Sequence, residues 1–184
     1  MPLSGIPNFS SPRSLIRTAL AVTLVVSAAL TLLYRQGGSR LGDGDDAMRL
    51  VLVRDLLSGR GWFDQWVGRL QPPLGIFMHW SRLLDGAIAV AIRLMQVFLP
   101  SPKAEIAVLV IWPLAWLVPA LVCAFAIARR LGGDAAVVAC AILFLIDLQA
   151  YEQFHPGRID HHNIQIVMAL IATACCVARG NRAR

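Results

Sequence analysis

Long apolar runs alternate with polar stretches along this chain, and the run lengths set the first expectations. Leu15 to Tyr34 reads LIRTALAVTLVVSAALTLLY, about 20 residues and enough for one helical membrane crossing. A cleaved signal peptide is the rival reading, because Arg13 and Arg17 make the flank basic and Ser27, Ala28 and Ala29 are small. Signal cores run only to roughly 7 to 15 residues, so an uncleaved anchor is expected. Glu105 to Ala128 forms a second run, interrupted by Pro113 and Pro119, where kinks are expected. Ala135 to Ala150, with Asp147 near its far end, and Ile164 to Ala178 are shorter runs whose helical ends should extend into the flanking residues.

These runs predict an all-α integral membrane protein forming one membrane domain. Its four transmembrane helices are expected over 15–34, 104–128, 135–150 and 164–178. Residues 35–103 form a long, largely helical first outer loop, residues 129–134 a cytoplasmic turn and residues 151–163 a second outer loop. In the first loop a helical pattern follows Gly44 and runs through Leu57 to a terminating Gly59. Pro72 and Pro73 predict an extended turn, and Ala87 to Leu99 a short helix bearing Arg93 that lies along the membrane interface.

Composition supports the membrane reading: 57% of the residues are hydrophobic and 15% charged. The net charge of +6 could suggest nucleic acid, but the basic residues flank apolar runs and are not interleaved with aromatic residues. No nucleic-acid partner is expected, and the charge reads as topology. The RRLGGD turn at 129–134 and the tail with Arg179, Arg182 and Arg184 then share the cytoplasmic side with the amino terminus. A multi-pass protein of the inner (plasma) membrane with both termini cytoplasmic is expected. Cys123, Cys140, Cys175 and Cys176 all fall within apolar runs and read as inert buried thiols.

With that topology, two polar clusters face outward together. The first is GDGDDAMR, with Asp43, Asp45 and Asp46; a helix N-cap explains at least one of the latter two but hardly three carboxylates in four residues. The second is HPGRIDHHNIQ, residues 155 to 165. Capping of the fourth span is the plain explanation for Asp160. Asp160 and His162, two apart, can also turn to one point and share a divalent cation if further oxygen ligands come from elsewhere. His155 and His161 read as interfacial polar residues, and Trp62, Trp66 and Trp80 as belt or packing aromatics. Arg158 and Arg82 read as snorkelling or ion-paired residues, with binding of a lipid-linked phosphate as the functional alternative. The spacing HxxxxxHH matches no recognised zinc site.

An aspartate soon after the first span and a D-x-(acid or His) motif before the fourth, both outward, resemble the amino-terminal part of GT-C glycosyltransferases, specifically the catalytic subunit of oligosaccharyltransferase and its relatives. The resemblance rests on DGDDAMR (43–49) and GRIDHH (157–162). It implies transfer of a glycan from a polyprenyl-linked sugar donor with the help of Mn2+ or Mg2+. It also implies catalytic roles for Asp45 and Asp160 and a metal held by Asp45, with Asp46 as its rival, Asp160 and His162. Many members carry a carboxylate where this chain has His162, and the imidazole favours manganese. Family members have more spans and an outer soluble domain, so an amino-terminal portion is expected, inactive alone and complete only with a carboxyl-terminal portion, from a continuing reading frame or separately encoded. The alternative is a small non-catalytic membrane protein that binds a cation or a protein partner through its outer loops.

Overall fold

The computed structural model describes residue 9, residues 11–36 and residues 41–180. Arg182 and Arg184 of the basic tail lie outside the described residues, as does the Arg179 side chain. The chain is mostly helical: α1 (Pro12–Gln36), α2 (Gly44–Leu57), α3 (Arg82–Met95), α4 (Ser101–Ile146), a 3-10 helix (Leu148–Phe154) and α5 (His162–Gly180). A small antiparallel ribbon, β1 (Trp66–Val67) against β2 (Ile76–Phe77), interrupts the helices.

Two helices, α1 and α4, are long and apolar enough to cross a membrane. The 25 residues of α1 extend about 38 Å, beyond the roughly 30 Å of a hydrocarbon core. The 46 residues of α4 do not form one rod. Its backbone leaves helical geometry at Gly132 and at Gly133, whose φ of 68° and ψ of −160° suit a residue without a Cβ. The Phe125 and Phe144 rings meet edge to face with centroids 6.3 Å apart. On a continuous helix they would be about 28 Å apart, so the chain reverses at the glycine pair and the two arms pack on each other. The second arm, residues 134–146, rises only about 20 Å, and the apolar stretch of α5, His162–Ala178, is shorter than a full span by the same measure.

The bundle core follows helical spacing. Ala19, Val22, Val26 and Leu30 of α1 face Leu117, Leu121 and Phe125 of the first arm, Val137 of the second and Val167 of α5. Tyr151 and Phe154 close one end of this cluster, where the Tyr151 hydroxyl donates to the Phe144 carbonyl. Leu20, Leu24, Leu32 and Ile146 point outward, as helices facing lipid would require. Cys175 and Cys176 are exposed on α5 and Cys123 and Cys140 half-buried, so the expected burial of all four thiols does not hold; every one is free.

A second apolar cluster joins the segments around the start of α4. Leu50 and Val53 of α2 pack with Ile88, Ala89 and Ile92 of α3, Val108 and Leu109 of α4, and Ile159 from the segment before α5. Helix α3 starts at Arg82, earlier than the expected Ala87, because the Ser81 hydroxyl accepts the Leu83 amide at 3.3 Å. Gly86 lies inside α3, where a Cβ would meet the Trp62 ring at 2.9 Å.

Pro113 and Pro119 sit within α4 without leaving helical geometry, so the break falls at the glycines and not at the prolines. Proline lacks the N–H that would bond to the carbonyl four residues back, which for Pro113 is that of Leu109. The Gly157 amide takes that place at 2.7 Å. Gly157 has a φ of 93°, a conformation glycine adopts without strain. The missing donor of Pro113 thereby becomes an anchor for the segment that carries Asp160.

Candidate metal centre

Three carboxylates at the start of α2 take different places. Asp43 is the N-cap: its Oδ1 accepts the Asp45 amide at 2.9 Å and the Asp46 amide at 3.2 Å. Asp46 closes the capping box by accepting the Asp43 amide at 3.2 Å. The cap is therefore Asp43, where the sequence pointed to Asp45 or Asp46. Asp45 is exposed on the first turn and lies outside the cluster described below.

Asp46 is fully buried and ties the two polar segments together. Its Oδ1 accepts the amides of Ile159 at 2.7 Å and Asp160 at 2.9 Å, and its Oδ2 accepts Arg158 Nη1 at 3.2 Å. Arg158 Nη1 also bonds to Asp43, and its Nη2 donates to Gln153 at 2.8 Å. Burial pushes the Asp46 carboxyl up, more than the Asp160 and Ile159 amides and the Arg158 charge bring it down. Burial pushes the Asp43 carboxyl up, but the Arg158 guanidinium and the Asp46 and Asp45 amides together hold it below the usual range. The clearance is tight: a Cβ at Gly42 would stand 2.1 Å from Arg158 Cδ.

Asp160 is buried and bonded on both oxygens. Oδ1 accepts Arg49 Nη2 at 2.9 Å and His161 Nδ1 at 2.7 Å, and Oδ2 pairs with His162 Nδ1 at 2.9 Å. These bonds replace the expected capping of the last helix. Burial raises its pKa, but the Arg49 and His161 hydrogen bonds bring it down to about 2, so the carboxylate is an anion at neutral pH.

Arg49 is 2% exposed and spans two carboxylates, with Nη1 on Asp85 at 2.8 Å and its guanidinium 4.5 Å from the centre of the Trp80 ring. Arg82 is equally enclosed. Its nitrogens donate to the carbonyls of Leu52, Trp62 and Asp64 and to Asp85 at 3.3 Å. Those bonds engage Arg82 within the fold, and Arg158 is held on Asp43, Asp46 and Gln153.

The residues brought together are Asp160, His161 and His162, whose ligand atoms all lie within 4.8 Å of one another. The two imidazole side chains are 41% and 45% exposed, enough to admit a ligand. One carboxylate with two imidazoles fits a transition ion better than Mg2+, which prefers an all-oxygen shell. Half-buried His155, whose pKa burial lowers, is not part of the group.

Sequence reasoning missed His161 as a member, and Arg49 and Asp85 as supports. A signal was present for Arg49: Asp46, Arg49 and Val53 lie at helical spacing on one face, so a charged pair points where an apolar stripe alone would pack. No protein-family profile, curated protein or solved structure matches the chain.

Proposed function

We propose that this chain is a membrane glycosyltransferase module of the GT-C kind, acting on a polyprenyl-linked sugar donor with a divalent cation at the outer end of its helix bundle. The observation that carries the reading is the meeting of two distant polar segments. Asp46 binds the backbone of Ile159 and Asp160, and beside that junction Asp160, His161 and His162 form one potential ligand group. We assign the cation to His161, His162 and Asp160, with Mn2+ preferred, and keep exposed Asp45 as the carboxylate open to a substrate or the ion. A bound cation would neutralise charge on the departing lipid phosphate. Asp46, Arg158 and Arg49 hold the segment in register, and the basic turn at 129–134 supports the reading that this end of the bundle and both termini are cytoplasmic.

One observation favours the non-catalytic alternative: the carboxylates of Asp43, Asp46 and Asp160 already serve internal bonds. Mn2+ binding to the chain in lipid nanodiscs, read by electron paramagnetic resonance, tests the site. His162→Ala and His161→Ala, both half-exposed, should each weaken Mn2+ at least about 10-fold without loss of fold. Mn2+-dependent consumption of a polyprenyl-diphosphate-linked sugar would then support the transferase. Binding without consumption favours the non-catalytic reading, and unchanged Mn2+ affinity in both variants sinks the metal assignment.

A further inference from the structure

The opposite end of the bundle holds a feature that the proposed reaction does not use. A cleft of about 980 Å³ opens between the start of α1, the turn of α4 and the end of α5. Apolar residues such as Leu15, Ala126 and Ala174 line it, and Arg129, Arg130 and Asp134 stand at the turn. It lies far from the histidines: from His162 to Ala178, α5 rises about 24 Å.

We infer that this cleft binds an anionic phospholipid of the leaflet at that end of the bundle, with an acyl chain in the trough and its phosphate on Arg129 and Arg130. The chemistry has two parts. An apolar trough between membrane helices is lined like lipid and suits a hydrocarbon chain, while two adjacent guanidiniums at the turn suit a phosphate, which they bind through paired N–H groups. Arg129 shares its Nε with Asp134 at 3.4 Å, and Arg130 is exposed with no ion pair among the described residues. The excess charge at the turn is therefore positive, which discriminates an anionic from a zwitterionic headgroup. The site is separate from the donor site because the helix bundle stands between the two. Cys123 and Cys175 also line the trough and report on its occupancy.

This inference rests on the reading that α1 and α4 span a membrane, and its test separates the two. Membranes carrying the full chain are first washed with alkaline carbonate; release of the protein overturns the span reading and this inference with it. The retained protein is purified in detergent and titrated with phosphatidylglycerol or phosphatidylcholine, with lipid adducts read by native mass spectrometry. Wild type should hold phosphatidylglycerol at least about 10-fold more tightly, a difference typical of two charge contacts. Arg129→Gln with Arg130→Gln should abolish the preference, and Arg129→Lys with Arg130→Lys should retain most of it. Asp134→Asn, which frees Arg129 at an exposed turn, should strengthen it. Phosphatidylglycerol should also slow alkylation of Cys123 and Cys175 by a membrane-permeant maleimide. Equal binding of the two lipids, tighter binding of a polyprenyl phosphate than of phosphatidylglycerol, lipid-free dimers, or no response to Asp134→Asn would overturn the inference.

Discussion

Arg49 shows how a single side chain can decide whether the candidate site exists. It is buried with Asp85 on one nitrogen and Asp160 on another, so each carboxylate is neutralised by a charge that has itself left water. Removing one member of such a group strands the rest: Arg49→Ala should destabilise the chain by about 3 kcal/mol or more, measured by thermal unfolding in detergent. A lysine has one point charge and cannot form both bonds, so Arg49→Lys should recover only part of that loss. Gly42 makes a steric argument instead. A methyl group there would collide with Arg158, so Gly42→Ala should cost on the order of 1–3 kcal/mol and release Arg158 from Asp46. If Gly42→Ala unfolds at the wild-type temperature, the Arg158 side chain has room to spare and its proposed locking role fails. Pro113 argues from a missing atom: Pro113→Ala restores an N–H that competes with Gly157 for the Leu109 carbonyl. The substitution should loosen residues 155–160 while leaving α4 helical, visible as faster amide exchange at Gly157 and no change in helical circular dichroism.

Among the elements, α4 sets the geometry, because its turn decides whether two arms pack or one rod projects from the bundle. Gly133 holds a φ of 68° with an extended ψ, a region nearly closed to residues with a Cβ. Gly133→Ala should cost about 1–3 kcal/mol, and a spin-label pair at positions 125 and 144 should move apart if the arms then separate. An unchanged distance and stability would show that the turn does not depend on glycine. This element was also the most legible in the sequence: apolar length announced α1 and α4, and the Gly-Gly pair marked the break. Other features left weaker traces. The ribbon at Trp66–Val67 and Ile76–Phe77 has two residues per strand, too few for alternation to show. The start of α3 was missed because its first turn rests on the Ser81 cap and on Trp62 lying against Gly86, a contact across more than twenty residues. For the site, the acidic start of α2 and the IDHH stretch were legible as separate clusters, since polar residues stand out between apolar runs. Which carboxylate caps, which is buried and which faces the histidines depends on contacts between residues over a hundred positions apart, such as Asp46 with Asp160. Local pattern carries no such information.

At the scale of the whole molecule, an apolar bundle carries a cap held by ionised groups, and the two should respond differently to acid. The bundle core around Val26, Leu121 and Phe125 contains no charge that acid alters. The cap depends on Asp160, whose pKa falls from an ordinary 3.8 to about 2 in the folded chain. A depressed carboxyl pKa contributes stability that is present above 3.8 and is lost as the pH falls through about 2, here about 2 kcal/mol. Asp46 has the opposite sign. Its folded pKa lies above 3.8, so its contribution is full below that value and is lost as the pH rises through the folded pKa. As the pH falls below 3.8 the contributions of Asp160 and Asp43 both change against the cap, and Asp46 ceases to offset them once it is protonated in both states. Acidification over that window should open residues 155–162 and the start of α2 while the bundle stays closed. Amide exchange of the nanodisc-embedded chain, normalised to an unfolded peptide at each pH, would show falling protection at Ile159 and Asp160 and constant protection along α1. Equal loss across cap and bundle would mean that the Arg49–Asp160 network is not a separable unit, and constant protection at both would mean that the Asp160 charge contributes little to holding the cap.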